Sequence, residues 1–142
     1  MFLKVAPDLD ELAIADIAEL VMAAKLDALI VSNTTIDRPA SLRSAARGET
    51  GGLSGKPVFE KSTRVLREFS SAFAGRVPLI GVGGVDSGEA ALAKIKAGAS
   101  AVQLYTALAY AGPGLVPRIA RELATALAAE GFKDVADAIG RP

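Results

Sequence analysis

Short apolar runs and stretches of helical spacing alternate along this chain, and each run stops at small or polar residues. That alternation constrains the fold most, because successive strand–helix units call for a parallel sheet with helices packed outside it. The first run, Phe2 to Ala6, closes at Pro7-Asp8, and Asp10 caps a helix whose apolar positions are Leu12, Ile14, Ile17, Leu20 and Val21. Asp27 to Ser32 is apolar on both faces, as a buried parallel strand requires, and ends at Asn33-Thr34-Thr35. Helical spacing resumes at Val65, Leu66 and Phe69, with Ser62 or Thr63 as cap and Gly75 as terminator. Val77 to Ile80 reads as a third strand, Ser87 caps a helix that runs to Gly98, and Ala101 to Leu104 reads as a fourth strand. Gly112-Pro113-Gly114 opens a long helix that Gly131-Phe132 ends, and a short helix from Val135 to Ile139 follows. The polar stretch from Ile36 to Glu60 is longer than ordinary connections, so it is expected to be a functional loop or to hold short strands of its own.

Four βα units make half of a (β/α)8 barrel of the TIM type, and residues 1–142 form one partial domain. A flavodoxin-like open sheet is the alternative, but its phosphate glycines would follow the first strand, whereas here they follow the third. A chain that opens directly on a strand also reads as lacking an earlier portion.

Composition narrows the chemistry. With neither histidine nor cysteine, the chain has no disulfide, no thiolate nucleophile, none of the common zinc sites and no imidazole triad, so its chemistry must lean on a cofactor. Sixteen basic residues balance sixteen acidic ones, which argues against a nucleic-acid partner. Hydrophobic residues reach 51%, yet no apolar run approaches the roughly 18 residues that span a bilayer, and the start has no signal-peptide pattern. The expected product is a soluble globular chain.

The segment Ile80 to Ser87 contains Gly83-Gly84, and Ala101 to Thr106 repeats its plan: a short strand, residues that let backbone N–H groups approach a ligand, then a helix start. A glycine pair alone is often only a turn. Two such segments on neighbouring strands match the phosphate site that barrels build from two adjacent strand-end loops. Lys4 stands among apolar neighbours, so its ammonium either reaches the rim or points into a site, where it would favour an anionic ring. Ser32-Asn33-Thr34-Thr35 is either a cap or turn, or the recognition end for a planar hydrogen-bonding molecule. Gly51 to Gly55 is either a flexible turn or a backbone contact for a cofactor, and Tyr105 is either a packing aromatic or part of the clamp. Asp8, Asp37 and Glu60 are expected to be caps or surface charges.

Taken together, Lys4 to Asp8, Ser32 to Thr35, Gly51 to Pro57, Gly81 to Ser87 and Val102 to Thr106 resemble, in order and spacing, the dihydroorotate dehydrogenase family. Lys56 to Thr63 and the ending Gly131 to Val135 resemble its quinone-dependent class, and the likeness is to the C-terminal half of such an enzyme. The resemblance implies an FMN-dependent barrel that oxidises dihydroorotate to orotate in pyrimidine synthesis, with quinone as acceptor, peripheral to the cytoplasmic side of the inner membrane. It implies FMN contacts at Lys4, Ser32, Gly55, Gly84, Tyr105 and Thr106, with the last three around the phosphate, and orotate contacts at Asn33 and Thr34. Ser32 stands where the family usually has threonine. The family's catalytic serine belongs to the other half of the barrel, so no residue here is nominated as catalytic base, and the chain alone is expected to be inactive. Its open barrel edges are expected to pair with the missing half or to self-associate. The rival readings are a non-catalytic phosphate- or FMN-binding or assembly half-barrel, and another phosphate-binding barrel enzyme.

Overall fold

The computed structural model describes residues 1–141. It contains strands β1 (Phe2–Val5), β2 (Ala28–Val31), β3 (Leu79–Val82) and β4 (Ala101–Gln103). The helices are α1 (Glu11–Ala23), α2 (Phe59–Phe73), α3 (Gly88–Lys96), α4 (Thr106–Ala111), α5 (Leu115–Ala129) and α6 (Val135–Ala138). The four strands form one sheet in the order β1-β2-β3-β4, every pair parallel. Spatial order therefore follows chain order with no switch point, which is the winding of a barrel and not that of the flavodoxin-like alternative.

The two sheet faces differ. Val5, Val31 and Gly81 share one register row and Leu29 and Leu79 another; all are buried, mostly against α1 and α2. Leu29, Val65, Leu66, Phe69 and Phe73 are wholly inaccessible, and the Phe69 and Phe73 rings stack with centroids 5.8 Å apart. Burying each such side chain contributes about 1.5–3 kcal/mol, so this layer is what holds the strands in register. On the opposite face, Lys4, Ile30, Ile80 and Ala101 line up across the sheet and none is buried. No helix among the described residues is long and apolar enough to cross a membrane.

Caps fall where short polar side chains precede helices. Asp10 accepts from the Ala13 amide at 2.8 Å and Ser87 from the Ala90 amide at 3.1 Å. Helix α2 departs from expectation: it starts at Phe59, run on from a 3-10 turn over Lys56–Val58 that carries Pro57. Ser62 and Thr63 lie inside it, their hydroxyls donating back to the Phe59 carbonyl at 3.0 and 2.7 Å. The segment between β2 and α2 holds one isolated antiparallel bridge, Thr35 with Leu53, and a 3-10 turn over Ala45–Gly48. Helix α4 begins at Thr106, where the plan of that segment called for a helix start, without a side-chain cap and separate from the long helix expected after Gly112-Pro113-Gly114.

Candidate functional site

At the carboxyl ends of the strands a cleft of about 830 Å3 brings together Lys4, Ser32, Asn33, Thr34, Gly55, Gly84, Tyr105 and Thr106. All eight residues singled out from the sequence thus line one cavity, whose size is that of a small-molecule site. Gly83, Ser54 and Val82 line it with them.

One side of the cleft is backbone. Gly83 and Gly84 take φ of 105° and 74°, which glycine alone adopts readily. A Cβ on Gly84 would sit 2.5 Å from that of Phe59, and one on Gly83 would sit 2.8 Å from Ser62 Oγ, so α2 presses directly on the turn. Among the described residues no protein acceptor takes the amide protons of Gly83, Gly84, Tyr105 or Thr106. Four N–H donors from two adjacent strand ends are left for whatever occupies the cleft.

The start of α3 is different from what the sequence suggested. Its first amide, Gly88 N–H, donates to Glu122 Oε2 at 2.8 Å, and Ser87 accepts from Ala90. Protein groups therefore already occupy that helix end, and the anion-binding capacity lies in the turn itself. Tyr105 lines the cleft, is 84% exposed and packs in no core cluster. Thr106 Oγ1 donates to Ser54 Oγ at 3.0 Å, and Gly55, at φ 78°, lies against the Thr106 methyl. The glycine loop is thereby fixed to the start of α4.

The other side of the cleft is made of side chains. Ser32 is buried and its hydroxyl donates to the Asn33 carbonyl at 2.9 Å. The Val31–Ser32 peptide bond is cis. Asn33 Oδ1 accepts from the Thr34 amide at 2.9 Å, so the Asn33 side chain has its NH2 group left for a ligand. Gly52 sits so tightly on Thr34 that any Cβ there would overlap its hydroxyl. Lys4 is exposed on the uncovered sheet face and forms no ion pair among the described residues.

Behind this end lies a cluster that the sequence reading passed over. Asp8, expected to be only a cap or surface charge, accepts from Lys61 Nζ at 2.5 Å, from Thr35 Oγ1 at 2.5 Å and from the Ile36 amide at 3.1 Å. Burial works to raise the Asp8 pKa, but those three donors outweigh it and hold the carboxyl below its ordinary value. Lys61 is held above its ordinary value chiefly by its hydrogen bond to Asp8, with Asp37 adding to it. No short-range pattern links residues 53 positions apart, and this is why the cluster was missed.

Lys94 was also missed. It is wholly inaccessible on α3, donates to Ser62 Oγ at 2.6 Å and lies 5.1 Å from the centroid of the Phe59 ring. Burial lowers its pKa to about 7, with the negative charge of Glu60 opposing. A clue stood in the sequence: position 94 falls inside the apolar stripe of Ala91, Leu92 and Ile95.

The strand order and the strand-end cleft define a protein of the parallel βα-barrel class with a small-molecule site. A family model described as dihydroorotate dehydrogenase matches residues 1–127. The chain belongs to the dihydroorotate dehydrogenase family. It is 54% identical over 140 residues to the dihydroorotate dehydrogenase (quinone) of Xanthobacter autotrophicus, covering 99% of this chain and 39% of that protein. The mitochondrial quinone enzyme of Mus musculus is 51% identical over 140 residues, 99% of this chain and 35% of its own length. Among solved structures, DHODH of Eimeria tenella in complex with ferulenol superposes with a TM-score of 0.95 at 45% identity, covering 98% of this chain and 37% of that one. The chain thus spans between a third and two fifths of these relatives.

Proposed function

We propose that the cleft is part of the FMN and orotate site of a quinone-dependent dihydroorotate dehydrogenase. The observation that carries this reading is the set of four unpartnered amides at Gly83, Gly84, Tyr105 and Thr106, which suits a phosphate monoester. Gly84, Tyr105 and Thr106 would hold the phosphate of FMN. Gly55 and Ser32 would contact the rest of the cofactor. Lys4, exposed in the cleft without a counter-ion, would favour negative charge on the flavin ring. Asn33, through its free NH2, and Thr34 would bind orotate.

When bound, FMN supplies the two-electron acceptor for oxidation of dihydroorotate to orotate, and quinone then reoxidises it. The residues here orient both molecules. Ser54 is tied to Thr106, and no residue of the described chain is assigned as the proton-removing base. The chain by itself is therefore expected to bind and not to turn over. The uncovered sheet face and the free edges of β1 and β4 are the surface on which a further barrel portion, or a second copy, would pack.

The test is titration of the apo chain with FMN followed by flavin fluorescence. Saturable FMN binding with weaker binding of riboflavin, and a flavin spectrum altered by orotate, are the expected results. Absence of any FMN binding would overturn the reading, and dihydroorotate oxidation by the chain alone would overturn its non-catalytic part.

A further inference from the structure

We infer that Lys94 is a buried positioning cation beneath the phosphate turn, and that an anion in the cleft is bound together with a proton on Lys94. The inference rests on the cofactor reading above and names a coupling that the reading does not contain.

The geometry is a short relay. Lys94 Nζ donates to Ser62 Oγ at 2.6 Å, and Ser62 Oγ contacts the Gly83 carbonyl at 3.3 Å as well as that of Phe59 at 3.0 Å. Phe59 and Ser62 are also the two residues against which Gly84 and Gly83 are pressed. The Lys94 stem packs on β3, where a Cβ added at Gly81 would lie 3.1 Å from its own Cβ. The amine therefore sits one serine away from the turn that lines the cleft. An ammonium has three donors, and this one has a single hydrogen-bond acceptor plus the face of an aromatic ring. A buried amine so poorly matched holds its proton only weakly unless negative charge approaches.

The surroundings supply little such charge. Glu60 on α2 is the acidic group that acts on Lys94. Strand β4 carries no titratable residue. On α5, Glu122 is engaged by Arg118 and Gly88, while Glu130, just beyond its end, is engaged by Lys96. On α6, Asp137 pairs with Arg141. A dianionic phosphate at the turn would be the missing counter-charge, separated from Lys94 by the solvent-inaccessible Ser62, where electrostatic interaction is strong. Binding then draws a proton from solvent onto Nζ, and the charged amine tightens its hold on Ser62 and through it on the turn.

The relevant comparison is FMN against riboflavin, which lacks the phosphate, on the full chain and on Lys94→Met. The unaltered chain should prefer FMN by a margin that shrinks about tenfold from mildly acidic to alkaline pH as Lys94 loses its proton. Lys94→Met should lose about fivefold of that preference at pH 7, where Lys94 is about half protonated, and about tenfold in mild acid, keep its riboflavin affinity, and lose its share of the pH dependence. Calorimetry on the unaltered chain in two buffers of different ionisation enthalpy should detect uptake of about half a proton per FMN near pH 8 and none with riboflavin. This measurement needs no folded variant. FMN binding without proton uptake, or an unchanged FMN preference and pH profile in Lys94→Met, overturns the inference alone. Absence of FMN binding by the unaltered chain overturns the cofactor reading and this inference together.

Discussion

The two ends of the cleft are built on opposite principles. The turn at Gly83-Gly84 is backbone pressed onto Phe59 and the buried Ser62, with the buried Lys94 beneath, whereas the Asn33-Thr34 end is an exposed loop braced from behind by the charged cluster of Asp8, Lys61 and Thr35. The first is held by close packing, since any side chain added at Gly83 or Gly84 would overlap α2. The second is ordered by a few polar bonds that solvent and pH can reach. The difference places intolerance to substitution at the packed end and sensitivity to ionic conditions at the braced one.

Gly84→Ala attacks the packed end and should have the largest effect. A Cβ there meets the Phe59 backbone at 2.9 Å in a conformation at φ 74° that alanine resists. A loss of about 3 kcal/mol in urea unfolding, with abolished FMN binding, is expected. Wild-type stability in this variant would show that the turn is looser than its contacts imply.

Lys94→Met should act in the opposite direction on stability. The folded pKa of about 7 lies below the ordinary 10.5, so the unfolded chain binds this proton more tightly. Stability should therefore rise with pH between those values, and the penalty should be fully present below about pH 7. Removing the amine is expected to stabilise the chain by about 2 kcal/mol near pH 6 and by little above pH 10, read from thermal or urea unfolding at each pH. The packed end would then hold a residue kept for binding at the expense of stability.

Asp8→Asn probes the braced end. Its carboxyl is held below the ordinary value, so the stability it contributes is present above about pH 4 and is lost as pH falls through the folded pKa. The variant should be weaker by about 1 kcal/mol at neutral pH and equal to the parent in strong acid, with orotate perturbation of bound flavin reduced more than FMN affinity. Arg38→Ala should have the smallest effect on global stability, under about 1 kcal/mol, and should show itself as faster proteolysis between Ile36 and Gly55.

The sequence revealed more of the packed end than of the braced one. Alternation of apolar runs located all four strands, though β3 begins two residues later than expected, at Leu79, because Val77-Pro78 leads into it. Asp10 and Ser87 were readable because a cap is a local device, decided within three residues. The start of α2 was not, because Ser62 and Thr63 look like caps while bonding backwards inside the helix, and Pro57 nucleates the preceding turn. The glycines announced the turn, but what they press against depends on Phe59, more than twenty positions away. Asp8, Lys61 and Glu122 owe their roles to partners distant in sequence, which single-residue type does not disclose.

Arg38 gives the loop a property of its own. Its guanidinium donates to the carbonyls of Thr35, Ile36 and Asp37 from one nitrogen and to those of Glu49 and Gly51 from another. One planar group thus rivets both ends of the excursion together. The segment can leave the cleft only if several bonds to the same cation fail at once, so its amides should exchange with solvent in one concerted event and not residue by residue. Access to the Asn33-Thr34 end would then be a gate with two positions, set by a single side chain that touches neither molecule proposed to bind there.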